Sequence, residues 1–515
     1  MTAPLELSQC RITERSGVLI RLAGRQEGWE AGWVRGEVTT GGRESPPSSI
    51  PAIDRSGFTG GDGNSCVCGI GEVTPLPGFH SESLEAAVSQ LENVLPCLIG
   101  KTLPASVLAL DGSLSMWLFS SLPMQGEGWG QGKNVTKTSK MGLGTRQTTG
   151  SPVQGEEEEV WRGGGHGNGN GTLSADGLSS TSIAGTVCSV PNSNLQSLWP
   201  SVRCGLEMAL VHIMSQGLGL PIGVALGAAT GLRSCSSVKV NSLTTRGEGV
   251  GEGGTNSEPV VMKVKVGGGQ GPLADACRVK SILSNVRPGD RVRLDANQAW
   301  TVSEAITFTH QLLDEGGGGA EGWDGALPQR RDRKPTPPDL VGAEGIPCPN
   351  PLPLSLSNPS PVVEYIEEPL VDPLRLEEFW DGVGGKLHFA LDESLAGEGV
   401  FTDEDLVCMR GCGAYVIKLS VVGGLDRAAR LCHLARTVGA KAVFSAAFES
   451  GVGLAHAAVL ASVFTEQGVA HGLSTYTRLS KDAVSPSFEE AVNDRGVVDI
   501  ASCQRVLDMA AQGLW

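Results

Sequence analysis

The sequence predicts an α/β protein whose larger part is a barrel of parallel strands, each followed by a helix. Six short segments support this prediction, because each is apolar and β-branched and ends on a charged or small polar residue. They are MKVKVG at 262–267, RVRLDANQAW at 291–300, VEYIEEP at 363–369, LHFALDES at 387–394, AYVIKLS at 414–420 and VFSAAFESG at 443–451. The active site of such a barrel lies at the carboxyl ends of its strands, so we expect the chemistry there.

The spacing of these segments is the second observation. Their final polar residues are separated by 30, 25, 26 and 27 positions, from Lys265 to Asp295, Glu367 to Asp392, Asp392 to Lys418 and Lys418 to Ser445. A barrel of about 250 residues allots roughly 31 to each strand-plus-helix unit, so each interval fits one unit. The interval of 72 from Asp295 to Glu367 does not fit, and its excess matches an aperiodic Gly/Pro-rich stretch at 316–361. We interpret this stretch as a surface insertion.

The N-terminal part reads as α+β. The segments GVLIRLAG at 17–24 and CVCGIGEV at 66–73 look like the strands of a hairpin. A helix is predicted after 80, with Ser81 as its N-cap and one apolar face formed by Leu84, Val88, Leu91 and Leu95. A second helix follows, with Leu198, Val202, Leu206, Leu210 and Ile213 at core spacing.

These patterns predict three parts. Residues 1–235 form the α+β domain with a disordered insertion at about 125–182, where apolar content is too low to offset ordering entropy. The barrel spans 236–480, from VKVNSL at 238–243 to an eighth strand in 469–476, with insertions at 246–258 and 316–361. Residues 481–515 pack back on the first domain. Retained intron sequence is an alternative origin for the Gly-rich insertions.

Composition excludes several classes of function. The formal net charge of −16 argues against binding to nucleic acid or to an anionic membrane surface. No run of 18 apolar residues and no signal-peptide pattern occurs, so we expect a soluble protein. The thirteen cysteines include no C-x-x-C pair, which predicts free thiols in a reducing compartment.

A K-x-K pair ends the second barrel strand. Lys263 and Lys265 face the same way, because side chains at i and i+2 share a face of a strand. Burial and mutual repulsion would lower the pKa of either amine, so that it serves as a base near neutral pH. A solvated pair of lysines is the alternative that the motif alone favours.

Three acids end successive strands, and a lysine ends the next one. Asp295, Glu367 and Asp392 would repel one another without a cation, whereas oxygen ligands from three sides suit Mg²⁺. A single acid of this kind is more typical of a helix cap, but three at consecutive strand ends favour a metal site. Lys418 lies opposite the lysine pair, and burial without a partner would be costly. A metal between lysines suits proton abstraction next to a carboxylate.

The ordered motifs K-x-K, D-x-N, E-E-P, D-E-S and I-K resemble the enolase superfamily in its muconate lactonising enzyme subgroup. The phrases GEVTPLPGF, PSVRCGLEMAL, RLDANQAW, YIEEPL, LDESL and HGLSTY are similar to the o-succinylbenzoate synthase family. The resemblance covers most of 66–110 and 195–480, and implies a modified (β/α)7β TIM barrel with an N-terminal α+β capping domain. It implies Mg²⁺-dependent syn dehydration of 2-succinyl-6-hydroxy-2,4-cyclohexadiene-1-carboxylate to 2-succinylbenzoate, in menaquinone or phylloquinone biosynthesis.

The resemblance also assigns roles by position. Lys265 would remove the α-proton and then protonate the departing hydroxyl, while Lys418 would stabilise the enediolate from the other face. Asp295, Glu367 and Asp392 would hold Mg²⁺, with Mn²⁺ as a substitute. The residues implied to orient the site or contact substrate are Lys263, Arg293, Asn297, Phe79, Ser445 and Gly451. Phe79 lies in a loop that either closes on substrate or forms a Pro-rich turn.

Two other functions are compatible with parts of this pattern. An N-acylamino acid racemase or dipeptide epimerase would use the same lysines, but such epimerases carry D-x-D at the eighth strand, where this chain has HGLST at 471–475. A non-catalytic scaffold predicts loss of at least one charged residue of the site, and none is missing. Expected partners are a small carboxylate substrate and other enzymes of quinone biosynthesis, without nucleic acid or membrane. The expected compartment is the plastid in a photosynthetic eukaryote and otherwise the cytoplasm.

Overall fold

The computed structural model describes residues 5–6, 11–12, 15–25, 32–35, 66–122, 198–244, 259–313, 362–396 and 400–513. The insertion predicted at 246–258 lies outside these residues. So do the insertion at about 125–182 and the one predicted at 316–361. The division into three domains stays a prediction.

The strands and helices alternate along most of the chain. The strands are β1 Leu5–Glu6, β2 Arg11–Ile12, β3 Val18–Arg25, β4 Gly32–Arg35, β5 Cys66–Val73, β6 Ser237–Val240, β7 Ser242–Thr244, β8 Val261–Lys265, β9 Arg291–Asp295, β10 Val362–Glu367, β11 Phe389–Leu391, β12 Cys412–Lys418, β13 Lys441–Ser445, β14 Ala470–His471 and β15 Val497–Asp499. The helices are α1 Leu84–Leu98, α2 Ser113–Ser120, α3 Pro200–Gly217, α4 Ile222–Thr230, α5 Pro272–Leu283, α6 Val302–Leu313, α7 Leu376–Gly382, α8 Asp403–Cys408, α9 Leu419–Val422, α10 Leu425–Thr437, α11 Gly451–Phe464 and α12 Ile500–Ala511. Short 3-10 helices occupy Ala105–Ala109, Pro373–Arg375, Glu393–Leu395, Ser474–Arg478 and Phe488–Ala491.

The predicted N-terminal hairpin is confirmed. Strand β3 pairs antiparallel with β5 along its whole length, from Val18 opposite Val73 to Arg25 opposite Cys66. Helix α3 lies directly on this sheet, because a Cβ at Gly71 would come within 1.9 Å of the Gly205 carbonyl oxygen. The glycines that alternate in β5 therefore permit the backbones of strand and helix to touch.

The helix predicted after residue 80 forms, but its cap and its buried face differ from the prediction. Ser83, not Ser81, is the N-cap, and its side chain accepts a hydrogen bond of 3.2 Å from the Ala86 amide. The residues buried by α1 are Ala87, Leu91, Val94 and Leu98, so only Leu91 of the predicted face is correct. Aliphatic side chains lie on both faces of α1, and the packing of the helix against its neighbours determines which face is buried.

The parallel strands form the predicted barrel. Strands β7 to β13 pair in chain order in one seven-stranded sheet. The first barrel strand is divided at Asn241, and its first half, β6, pairs with β14 instead. A bridge between Ser445 and Gly472 then joins β13 to the segment of β14, which closes the ring.

The last segment contacts both parts of the molecule. Strand β15 pairs antiparallel with β6 of the barrel. In helix α12, Asp508 accepts a hydrogen bond of 2.5 Å from Gln216 of α3, and Gln504 accepts one of 2.8 Å from the Ile222 amide of α4.

Two further observations concern the cysteines and the most apolar helices. The nine cysteines whose side chains the structure describes are free thiols. Among the described helices, no single one is long and apolar enough to cross a membrane. The pair formed by α3 and α4, bent by 90°, meets the criteria of length and composition only when both helices are taken together.

Candidate active site

The polar strand ends meet at one edge of the barrel. In the strand register, Lys265 lies beside Asp295, and Asp295 lies beside Glu367. Asp392 directly follows β11, and Lys418 pairs with Ser445 at the ends of β12 and β13. Because parallel strands all end at this edge, residues far apart in sequence are brought together here.

The lysine pair lies on the predicted face and contacts two of the acids. Lys263 Nζ lies 2.9 Å from Asp295 Oδ2 and 2.7 Å from Glu367 Oε2. Lys265 Nζ lies 2.8 Å from the same Asp295 oxygen. The side chain of Lys265 is 49% exposed and that of Lys263 only 14%, so Lys265 is the more accessible amine.

The predicted lowering of a lysine pKa is wrong for Lys263. Burial lowers its pKa, but the carboxylates of Asp295 and Glu367 outweigh this and hold it well above its ordinary value. The pKa of Asp295 is lowered, since its two lysine neighbours outweigh the effect of burial. Burial raises the pKa of Glu367 to about 8, with the other acids adding to the effect and Lys263 opposing it. The sequence predicted these acids at neighbouring strand ends, but not that they pair with Lys263.

Lys418 lies in a buried pocket between an acid and an aromatic ring. Its ammonium donates a hydrogen bond to Asp392, and its side chain is 8% exposed. The nitrogen lies 4.6 Å from the centre of the Phe79 ring, a cation–π distance. Burial lowers the pKa of Lys418. The carboxylates of Asp392 and Glu393 outweigh this effect and raise the pKa above its ordinary value, so the amine stays charged. The structure therefore brings the predicted loop residue Phe79 onto the predicted lysine.

Asn297 connects the lysine pair to an acid that the sequence analysis gave no role. Its side-chain oxygen accepts a hydrogen bond from Lys265, and its amide nitrogen donates one of 3.0 Å to Glu393. Burial, together with Asp392, raises the pKa of Glu393 to about 7. The D-E-S motif was the available signal, since Glu393 directly follows Asp392.

Glu368 is a second residue that sequence reasoning left without a role. It is fully buried, and one of its oxygens accepts hydrogen bonds of 2.8 Å from the amides of Asp392 and Ser394. The other oxygen accepts from the Ser394 hydroxyl and from Gln298. Its φ of 39° is uncommon for a residue with a side chain, which is typical of functional sites. Glu368 thus fixes the backbone that carries Asp392.

Arg293 lies inside the barrel rather than among the strand-end acids. Its side chain is 2% exposed, and its guanidinium donates hydrogen bonds of 2.7 Å to Glu364 and to the Ala470 carbonyl. The group also lies 5.2 Å from the centre of the Tyr365 ring. These contacts account for its burial without a substrate.

Ser445 and Gly451 lie near the mouth but have protein partners. Ser445 is 9% exposed, and its hydroxyl lies 3.5 Å from the Gly472 carbonyl oxygen. The Gly451 amide donates a hydrogen bond of 2.8 Å to Asp482. The backbone donor at Gly451 is therefore already used, and contact of either residue with a substrate stays a prediction.

The three acids suit a hard cation by their chemistry. All are carboxylates at neighbouring strand ends, and the buried Asp295 Oδ2 accepts no hydrogen bond with good geometry despite its two lysine neighbours. In the part of the chain that the structure describes, no three His, Cys, Asp or Glu side chains already form a metal site. Lys263 pairs with Asp295 and Glu367, and Lys418 pairs with Asp392. The chemistry of the three carboxylates fits Mg²⁺.

Comparison with solved structures defines the class of fold. The dipeptide epimerase from Cytophaga hutchinsonii, solved with Mg and the dipeptide D-Ala-L-Val, matches 95% of this chain and 93% of its own, with a TM-score of 0.50 at 15% identity. At this identity the likeness concerns the fold alone. The chain has a modified TIM-barrel fold like that of this epimerase.

The sequence resemblance to o-succinylbenzoate synthases is also confirmed. The chloroplastic protein PHYLLO from Arabidopsis thaliana is 29% identical over 339 residues, which cover 59% of this chain and 16% of that protein. The o-succinylbenzoate synthase from Proteus mirabilis is 26% identical over 227 residues, covering 44% and 53%. A hydrophobic dipeptide epimerase from Enterococcus faecalis is 30% identical over 122 residues, covering 22% and 32%.

The extent of these matches is limited. The chain spans about a sixth of the Arabidopsis protein and about half of the Proteus enzyme. No protein-family model matches the sequence.

Proposed function

We propose that the chain is an o-succinylbenzoate synthase, a hydro-lyase that forms 2-succinylbenzoate by syn dehydration of 2-succinyl-6-hydroxy-2,4-cyclohexadiene-1-carboxylate. The observation that carries the proposal is the placement of Lys265 and Lys418 on strands β8 and β12 of the barrel, with three acids on the strands between them. Curated relatives named o-succinylbenzoate synthase support the choice of reaction.

Lys265 is the proposed base and acid. It is the more exposed lysine of the pair, and Asn297 and Asp295 fix its ammonium. In the reaction its neutral amine takes the α-proton, the C–H electrons form the new double bond, and the C–O bond breaks. The ammonium then returns the proton to the departing hydroxide, so water leaves and the amine is restored. One residue on one face suffices for a syn elimination.

Lys418 is proposed to stabilise charge and not to transfer a proton. Its pKa is raised, so it stays an ammonium facing the acids at the mouth. A fixed positive charge stabilises the negative charge that develops on the substrate carboxylate when the α-proton leaves. The Phe79 ring shields this ammonium from water on one side.

Asp295, Glu367 and Asp392 are the residues proposed to hold Mg²⁺, with Mn²⁺ as a substitute. The ion would supply positive charge beside the substrate carboxylate and so acidify the α-proton. Its charge would also lower the pKa of Glu367 from about 8, so that this acid ionises at neutral pH. Lys263 would remain as the inner cation that holds Asp295 and Glu367 in place.

Product formation tests the proposal directly. Freshly generated substrate is incubated with the protein in Mg²⁺ or EDTA, and 2-succinylbenzoate is detected by mass spectrometry. We expect metal-dependent product from the wild type and a loss of at least about 10³-fold in Lys265→Ala. Lys441→Ala is the matched control, since Lys441 pairs with Glu364 at 2.8 Å, at the start of its strand. Equal loss in both variants would refute Lys265 as the base.

A racemase or dipeptide epimerase is the second candidate, favoured by the match to the Enterococcus epimerase. Epimerisation needs proton transfer on both faces, so both lysines would have to exchange protons. Lys418→Arg keeps the charge but removes a usable proton donor and acceptor. Exchange of the α-proton of N-acylamino acids or dipeptides in deuterated water, abolished by Lys418→Arg, would favour this candidate. Dehydration that partly survives the substitution favours the synthase.

The place of the reaction in the cell follows from the same proposal. The product would enter menaquinone or phylloquinone biosynthesis, with other enzymes of that sequence as partners. The match to a chloroplastic protein favours a plastid, if the source is photosynthetic. Co-fractionation of 2-succinylbenzoate-forming activity with isolated organelles tests the compartment.

A further inference from the structure

The loop that carries Phe79 is anchored to the barrel at two points. At its start, Arg15 donates hydrogen bonds to the carbonyls of Thr74 and Pro75, and one of 3.2 Å to Ala447 of the barrel. Farther along, Leu76 is buried in an apolar cluster with Val421 and Ala447, against which Phe79 packs. The loop therefore crosses from the N-terminal sheet to the barrel mouth.

His80, the residue after Phe79, supplies a further anchor. Its Nδ1 accepts a hydrogen bond of 2.9 Å from the Leu76 amide, which closes the loop on itself. Because Nδ1 is an acceptor, Nε2 carries the proton, and it donates to the Ser420 carbonyl at 3.0 Å. Ser420 follows Lys418 by two positions, at the start of the short helix α9. One imidazole thus joins the loop to the chain segment that holds the catalytic lysine.

The surroundings of His80 favour the neutral ring that the bond from the Leu76 amide requires, although the bond to the Ser420 carbonyl raises the pKa of the ring. Burial lowers the pKa of His80, and Arg15 acts in the same direction. Two acids, Glu82 just before α1 and Glu449 in the loop after β13, raise the pKa of His80, but not enough to reverse its lowering. A protonated ring would turn a donor toward the Leu76 amide, so the closed loop and the neutral ring belong together.

We propose that His80 is a positioning residue of the proposed reaction, which holds the loop at 74–80 closed so that the Phe79 ring covers Lys418. The proposal rests on the proposed function, since Lys418 is the charge that the ring shields. The bond to the Ser420 carbonyl is the contact that acts across the two parts of the molecule, because the bond to Leu76 lies within the loop.

Two substitutions separate the two bonds. His80→Gln places an amide nitrogen near the position of Nε2 and keeps the bond to Ser420, whereas His80→Asn keeps only the acceptor near Nδ1. If the loop opens, a smaller fraction of the protein molecules can bind substrate. KM therefore rises in proportion, whereas kcat changes less. We expect KM for the cyclohexadiene substrate to rise about tenfold in His80→Asn and about twofold or less in His80→Gln.

A readout without turnover tests the loop itself. Amide hydrogen exchange of the peptide spanning 74–81, followed by mass spectrometry, should speed up about tenfold in His80→Asn and much less in His80→Gln. His388→Asn is the control, since His388 also faces a carbonyl, that of Gly411 at 3.2 Å, and stacks on Trp380 away from the loop. This control should leave the peptide unchanged.

The outcomes are distinct. Unchanged exchange and KM in His80→Asn, or equal losses in both His80 variants, would overturn the proposal, because the Ser420 bond would then not matter. If the wild type forms no 2-succinylbenzoate, the proposed function fails, but the exchange experiment still decides whether His80 closes the loop. Rescue by His80→Gln alone supports the proposal.

Discussion

At the scale of single residues, the site depends on acids that never need to touch a substrate. Glu368 is the clearest case, because its two oxygens receive four hydrogen bonds, two of them from the backbone around Asp392. An acid with this many donors holds a strand end in one conformation. The position of Asp392 therefore depends on a second carboxylate behind it.

Glu368→Gln should lower the stability of the fold. Glutamine has one acceptor oxygen, so its NH₂ group would face either the amides of Asp392 and Ser394 or the Ser394 hydroxyl and the Gln298 amide. A buried donor without a partner costs about 1–3 kcal/mol. Unfolding in denaturant measures the loss. Glu378→Gln is the control, since Glu378 is 37% exposed and its ion pair with Arg375 is an exposed interaction of about 0–1 kcal/mol. Similar losses in both variants would contradict the role given to Glu368.

At the scale of elements, an acid of the N-terminal sheet caps a helix of the barrel. Glu72 of β5 is buried and accepts hydrogen bonds of 2.8 Å from the amides of Ser450 and Gly453 at the start of α11. Its oxygen also accepts from the Ser450 hydroxyl at 2.7 Å. The free amides of a helix N-terminus bind a carboxylate well, so this contact joins the two parts of the chain.

The cap at Glu72 should make stability depend on pH. Burial raises the pKa of Glu72 to about 7, although the bonds from Ser450 lower it in part. A raised pKa means that this contribution is complete below the ordinary 4.5 and is lost as pH rises through 7. Relative to Glu72→Gln, the wild type should lose on the order of 2–3 kcal/mol of unfolding free energy between pH 5 and pH 8.

The measurement is the difference in unfolding free energy between the two proteins at several pH values. Taking a difference removes the contribution of the other acids, which titrate in both proteins. A difference for Glu72→Gln that does not change with pH would contradict the raised pKa.

The sequence predicts the elements of the site better than their contacts. Lys263, Lys265 and Asp295 are readable because strand periodicity and strand ends are local properties. The pKa of Lys263 was not readable, because its partner Glu367 lies 104 positions away along the chain. Arg293 is a similar case. Periodicity correctly places it on the same face of its strand as Asp295. Its partner inside the barrel, Glu364, lies 71 positions away along the chain and could not be predicted. Periodicity gives the face of a side chain, whereas folding supplies its partner.

At the scale of the whole molecule, the closed ring of strands is complete without the long segment between α6 and β10. Helix α6 ends at Leu313, and β10 begins at Val362, already paired with Arg291 of β9. The connection from 314 to 361 has 48 residues, whereas the connection between a helix and the next strand of such a unit usually has two to six. The pairing of β9 with β10 therefore continues the barrel sheet across this connection.

Replacement of 314–361 by a Gly/Ser linker of about six residues should preserve both fold and activity. The strand pairing from Val362 to Glu367 stays intact, and shortening a loop about eightfold changes closure entropy by at most about 2 kcal/mol, in the stabilising direction. Unfolding in denaturant and formation of 2-succinylbenzoate measure the two results. A second linker of about twelve residues controls for reach, because a linker that is too short would strain β10. Failure to fold with both linkers would show that 314–361 contributes to the structure and is not an insertion into a complete barrel.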